Sequence, residues 1–257
     1  MNRADRKRQT KQDETRLRGG IDPMTSDPAP TLAMARQLFA LLEKGKRTGS
    51  VAEAVTFLHA KVTATLAALP MAVACARGCS HCCNGWVSAT APEILFMASH
   101  VRAKGEALVE RVMAAQAAIG AFSMLERPHH PRPCPMLEGH ACGMYDARPS
   151  ACRCASSMDA NACVRVITML LPETIPSPMR HIRTRELFDA AMVAALTHAR
   201  LPHRLYDLTG GLARALAHEN AQGAWLAGED IFAGVAMDPT DVMTKPDAQL
   251  VYRQAFG

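Results

Sequence analysis

Residues 75–83 read Cys75-Ala-Arg-Gly-Cys79-Ser-His-Cys82-Cys83, four thiols in nine positions. The Cys79-x-x-Cys82 spacing lets two sulfurs face one ion, as in many zinc sites. Gly78 suits the position after a helix ending near Arg77, where it would turn Cys79 back toward Cys75. Cys82 and Cys83 raise a separate problem. In an extended segment neighbouring side chains point to opposite faces, and in a helix they diverge by ~100°. Both cannot easily face a single tetrahedral ion, so the stretch predicts more than one ion or a supporting role for one of the pair.

The rest of the chain strengthens this reading. All nine cysteines lie between positions 75 and 163, in two groups: Cys75, Cys79, Cys82 and Cys83, then Cys134, Cys142, Cys152, Cys154 and Cys163. Cysteines used only as small core residues would not segregate in this way. Most of the sequence between Cys83 and Cys134 reads as two helices. A helical hairpin would bring the groups together, and metal could close it. A structural zinc site supplies about 10–16 kcal/mol of apparent binding free energy. A whole domain is stable by only about 5–15 kcal/mol, so metal would be a main contributor to the order of residues 75–163. Four thiolates on a divalent ion carry a net negative charge, which Arg77, Arg148 and Arg153 are placed in sequence to offset.

Composition fits this picture. The 257 residues are 49% hydrophobic, 21% charged and only 5% aromatic, a globular balance dominated by Ala, Leu and Met, which favours helices. The fold class is therefore mainly α: a helical domain with irregular Cys-rich loops converging on a metal site. The 15 methionines are dispersed, which favours core filling over copper binding. The formal charge of +5 is uneven, because residues 1–20 hold seven Arg or Lys against three Asp or Glu. A near-neutral body is not a nucleic-acid reader. No signal-peptide pattern and no long apolar run is seen. The expected location is cytoplasmic, where clustered cysteines bind metal or do redox chemistry more often than they form disulfides.

Along the chain, residues 1–28 read as a disordered basic leader. Residues 29–220 read as a helical domain that contains the cysteine cluster, and 221–257 as a loosely structured C-terminal tail. Helical spacing starts at Leu32 and stops at Gly45. Ser50-x-x-Glu53 and Thr90-x-x-Glu93 are capping boxes that open further helices, with Pro70 interrupting between them. Residues 105–122 and Thr184 to Arg200 read as helices, and Leu205 to Leu216 as a final one. The four prolines of 127–135 dictate an irregular loop. The β-branched run 163–171 fits strand or helix equally.

The chain resembles the YkgJ-type cysteine-cluster family, the zinc- or iron-chelating CxxCxxCC domain. The resemblance rests on two blocks. The first is 75–83 followed by Thr90 and Pro92-Glu93. The second is Cys134 followed eight residues later by Cys142-Gly-Met-Tyr145, then Arg148-Pro149 and Cys152-Arg153. It implies that Cys75, Cys79, Cys82, Cys83, Cys134, Cys142 and Cys152 hold zinc or iron. Cys154 and Cys163 are additional to the pattern. The family is similar to the cysteine-rich part of flagellin lysine N-methylases, which adds an iron–sulfur cluster to the options. Three functions stay open at this point. They are a metal-binding protein with no established reaction, an iron–sulfur enzyme related to those methylases, and a zinc-stabilised interaction module. The implied partner is a metal ion; no membrane or nucleic-acid partner is indicated, and no protein partner is named. His81, His129, His130 and His140 lie near the clusters, but thiols are already in surplus. Tyr145 is placed either to bond a sulfur or to pack behind the Arg148-Pro149 turn.

Overall fold

The computed structural model describes residues 20–68, 71–76 and 78–257. Most of the leader, Pro70 and Arg77 lie outside these. The fold is mainly α, as expected. Helices α1 (Ala29–Thr48) and α2 (Ala52–Ala68) form the first hairpin. Gly45 does not end α1. It is buried inside the helix, where a side chain would meet the Ser50 carbonyl. The stop is Gly49, in the left-handed region at φ 72°, which glycine adopts without strain. The box expected at Ser50 is incomplete: the Ser50 hydroxyl accepts from the Ala52 amide, but Glu53 reaches out to Lys44 instead (2.7 Å).

The capping box at Thr90 is complete and opens α3 (Ala91–Lys104), followed by α4 (Glu106–Ile119). Short elements follow: α5 (Ser150–Cys154) and α6 (Ala160–Cys163). The ambiguous run continues α6 as a π-helical turn over Val164–Thr168, neither strand nor ordinary helix. Then come α7 (Met179–His198), longer at its start than the spacing suggested, α8 (Leu208–Ala217), α9 (Ala221–Leu226) and α10 (Pro246–Phe256). Strand β1 (Ser88–Thr90) pairs antiparallel with a later strand, Leu205–Asp207, in the register Ser88 to Asp207. Each strand runs directly into a helix, α3 or α8, and these two helices pack on each other. Leu205 therefore starts a strand, not the helix expected there.

The core lies between α1, α2, α3 and α7, with Leu38, Leu42, Leu58, Ile94 and Phe188 fully buried. Six methionines are buried, but Met24, Met71, Met113, Met158, Met169, Met179 and Met237 are exposed, so core filling describes only part of the set. Residues 221–257 are not loose. Trp225 is fully buried, and α10 packs on α1 and α7. Phe256 stacks on His198 (4.3 Å between centroids) and meets Phe39 edge-on (5.7 Å). Arg36 donates to the carbonyls of Gln254 and Ala255, which would otherwise be unsatisfied at the end of α10. The order of the leader begins before residue 28: Ile21 is buried, and its amide donates to Thr65 Oγ1 (2.9 Å).

Candidate metal centre

Within the first cysteine group a turn is closed by the Cys79 amide on the Ala76 carbonyl (2.9 Å). Gly78 makes that turn at φ 92°, as its position suggested, but residues 71–76 are not helical. Cys82 and Cys83 sit in a 3-10 turn, His81–Asn84, whose shape is held by Asn84 Nδ2 donating to the carbonyls of Ser80 and His81. The turn places the two thiols near enough for each to shift the titration of the other. The hydrogen bond from Cys82 to Cys83, then burial, drives the Cys82 thiol pKa up. Accepting that bond lowers the pKa of Cys83, against the effect of burial.

The proline loop supplies the second group. It lies along the first turn, with Arg132 donating its amide to the Asn84 carbonyl (2.9 Å) and Cys134 to that of Cys83 (2.7 Å). A proline cannot donate, and here the two non-proline residues make the bonds. Strands β2 (Leu137–Glu138) and β3 (Ala141–Cys142) then form a minimal hairpin that carries Cys142. His140 lies 3.5 Å from Ser80 Oγ, a link between the groups rather than a ligand position. His130 stacks on Phe122. The Arg148 guanidinium lies 3.7 Å from the centroid of the Tyr145 ring, and the ring is largely exposed.

Cys152 rides on α5, and α5 is positioned by a buried carboxylate. Glu93 accepts from the Thr90 hydroxyl (2.9 Å) at the start of α3. Its other oxygen accepts from the Ser150 amide (2.7 Å) and hydroxyl (2.8 Å) at the start of α5. His59 Nε2 lies 3.4 Å from the same oxygen, and Arg153 is 3.3 Å from His59 Nδ1. Arg153 also donates to the carbonyls of Asp146 and Arg148. One carboxylate thus serves the N-termini of two helices, where negative charge is favoured. Burial alone would raise the Glu93 pKa. The contacts with His59 and Ser150 outweigh it and hold the carboxyl at about 2.

Cys82, Cys83, Cys134, Cys142 and Cys152 line one cavity of about 560 Å³. Burial, then repulsion from Cys142 and Cys82, pushes the Cys134 thiol to about 11. Burial and the nearby Cys134 raise Cys152 further. The donor set fits soft divalent metals, since thiolates suit zinc, iron and iron–sulfur centres. Among the described residues, however, no three His, Cys, Asp or Glu side chains stand at the spacing of a closed metal shell. The structure gathers five sulfurs around a cavity without bringing all seven expected ligands to one point.

Cys75 and Cys79 are absent from the cavity lining. Cys75 Sγ accepts from the Ser157 amide (3.2 Å), and Cys163 Sγ donates to the carbonyl of Asp159 (3.7 Å), on the same loop. Burial raises the Cys75 thiol; the Ser157 amide opposes this, and Cys79 and Cys163 add to it. The neighbour the sequence reading left unassigned is therefore Cys163. Cys154 is different: it is buried in the core, where burial and then Asp189 push it to about 12. All nine cysteines are free thiols.

Residues 74–169 match the model of the CxxCxxCC family, described as "Putative zinc- or iron-chelating domain". The YkgJ-type resemblance is thereby supported over this segment; the methylase likeness is not shown. No curated protein and no solved structure matches the chain. No helix among the described residues is long and apolar enough to cross a membrane.

Proposed function

We propose that residues 74–169 bind zinc or iron through thiolates of Cys82, Cys83, Cys134, Cys142 and Cys152, with Cys75 and Cys79 serving a neighbouring position beside Cys163. The observation that carries this reading is the shared cavity, built by three segments far apart in sequence. Ion binding draws the sulfurs together and releases their protons, since the thiolate is the ligand. Five lining sulfurs exceed the four that one zinc ion accepts, which suits a centre of more than one ion. Free thiols in this number persist in a reducing compartment, which favours the cytoplasm. Metal analysis and a visible spectrum of anaerobically purified protein test the reading. Stoichiometric zinc or iron supports it, and protein that takes up neither overturns it.

A second reading, an iron–sulfur enzyme, is favoured by the cavity itself. A purely structural site is closed by its ligands, whereas this sulfur wall faces a space the size of a small-molecule pocket. Brown, acid-labile colour with sulfide and two or more irons supports that reading. Colourless zinc protein supports the structural one.

A further inference from the structure

The wall that carries the sulfurs also carries cationic groups. Four arginines and one aspartate line it. Arg127 is paired with Asp207, both buried. Arg185 is paired with Asp189 (3.4 Å) and also donates to Ser88 Oγ (3.3 Å). Arg132 and Arg148 remain. Neither has a carboxylate within ion-pair distance among the described residues, and Arg148 Nε is buried with no hydrogen-bond partner. A buried donor without an acceptor costs free energy, and the guanidinium of Arg148, which lies over the Tyr145 ring, and that of the exposed Arg132 present planar forks without a carboxylate, suited to carboxylate or phosphate. The rest of the lining is largely apolar and includes Trp86, Ile119 and Ile167. The volume lies within the range of small-molecule sites, about 300–1,000 Å³.

We propose that the cavity binds a small organic anion. Its carboxylate or phosphate group is held by Arg132 and Arg148, and its apolar body lies against Trp86 and Ile167. The proposal deepens the enzyme reading, because the anion would lie beside the thiols. It differs from a role in which the two arginines only balance thiolate charge.

The test uses the full chain with its metal as purified. Benzoate, phenylphosphate and neutral benzamide are titrated against the emission of Trp86, with Trp86→Phe as control; Trp225, fully buried, contributes a constant background. Both anions are expected to bind saturably, and benzamide about tenfold more weakly. The ranking of benzoate against phenylphosphate assigns the acid group. Arg132→Gln is expected to weaken anion binding about tenfold at unchanged metal content, and Arg148→Gln to weaken it as well. Equal binding of benzamide, no saturable binding of either anion, or variants that lose metal while keeping anion affinity each overturn the proposal. Repeating the titration on protein found to carry no metal separates the two ideas: there the metal reading fails, while anion binding by the same arginines upholds this one.

Discussion

The helical body and the cysteine-bearing segments, residues 71–87 and 127–163, are held in order by different means. In the body, α1, α7 and α10 pack broad apolar faces, and single residues such as Leu38 and Phe188 lose essentially all contact with water. In the cysteine region the elements are a 3-10 turn, two-residue strands and a five-residue helix. None is long enough to bury a face. Their order comes from particular polar bonds: Asn84 across its turn, Cys134 on Cys83, Glu93 on Ser150. A core tolerates small shifts, but a set of specific bonds fails when one partner goes. The comparison teaches that the cysteine region is where a bound ion has most to add.

Stripping the metal is the strongest way to break the comparison. A structural site is worth about 10–16 kcal/mol. Chelation should raise amide exchange across 79–85 and 134–154 by orders of magnitude, with α1 and α7 still protected. Equal protection in both states would mean that bonds and packing alone hold the loops.

Within the body, Phe188→Ala should cost about 3–5 kcal/mol in denaturant unfolding and leave metal stoichiometry intact. Loss of metal in that variant would show the two regions to be one unit. Glu93→Ala sharpens the contrast from the other side. It strands several buried donors, at a cost of about 3 kcal/mol, and should lower metal affinity because Cys152 loses its positioned helix. Full metal affinity in this variant would remove Glu93 from the account of the site.

Acid titration should separate two buried carboxylates. Glu93 sits at about 2 instead of its ordinary 4.5. Its stabilising contribution is complete above 4.5 and disappears as pH falls toward 2. Asp189 is raised by burial from 3.8 to about 6, despite Arg185. It favours the fold below 3.8, and that advantage is lost as pH rises through 6. Glu93→Gln should flatten the acid limb, and Asp189→Asn should remove the decline between pH 4 and 6, with higher stability at pH 7. The reverse pattern would disprove the assignment. The smallest expected effect is that of removing residues 1–19, which contain no cysteine. Metal content should not change, and its loss would make the leader part of the site.

Sequence pattern reached the body more easily than the site. Thr90 and Glu93 are one helical turn apart, so their capping box is visible locally. The bond from Ser150 to the same carboxylate spans 57 positions and leaves no local signature. Gly45 was misread as a helix stop because its role is close packing, while the left-handed stop lies at Gly49. The tail was misread because Tyr252 and Phe256 find their partners on α1 and α7, too far away for periodicity to register. Cysteine spacing marks out the thiols as a class. Which sulfurs share a wall depends on the path of the proline loop, and the company Cys163 keeps with Cys75 depends on the segment Ser157 to Asp159 that bonds to both.

Glu93 carries one further consequence, for biosynthesis. A chain leaves the ribosome N-terminus first, so Glu93 is made well before the serine it must hold. During that interval its carboxylate has Thr90 and His59 as partners, and α5 does not yet exist. Cys79, Cys82 and Cys83 are already out, with the sulfur of Cys152 still to come. An ion captured early would meet an incomplete set of donors and could leave again. Docking of Ser150 on Glu93 brings the sulfur of Cys152, the last of the five in chain order, to the cavity wall.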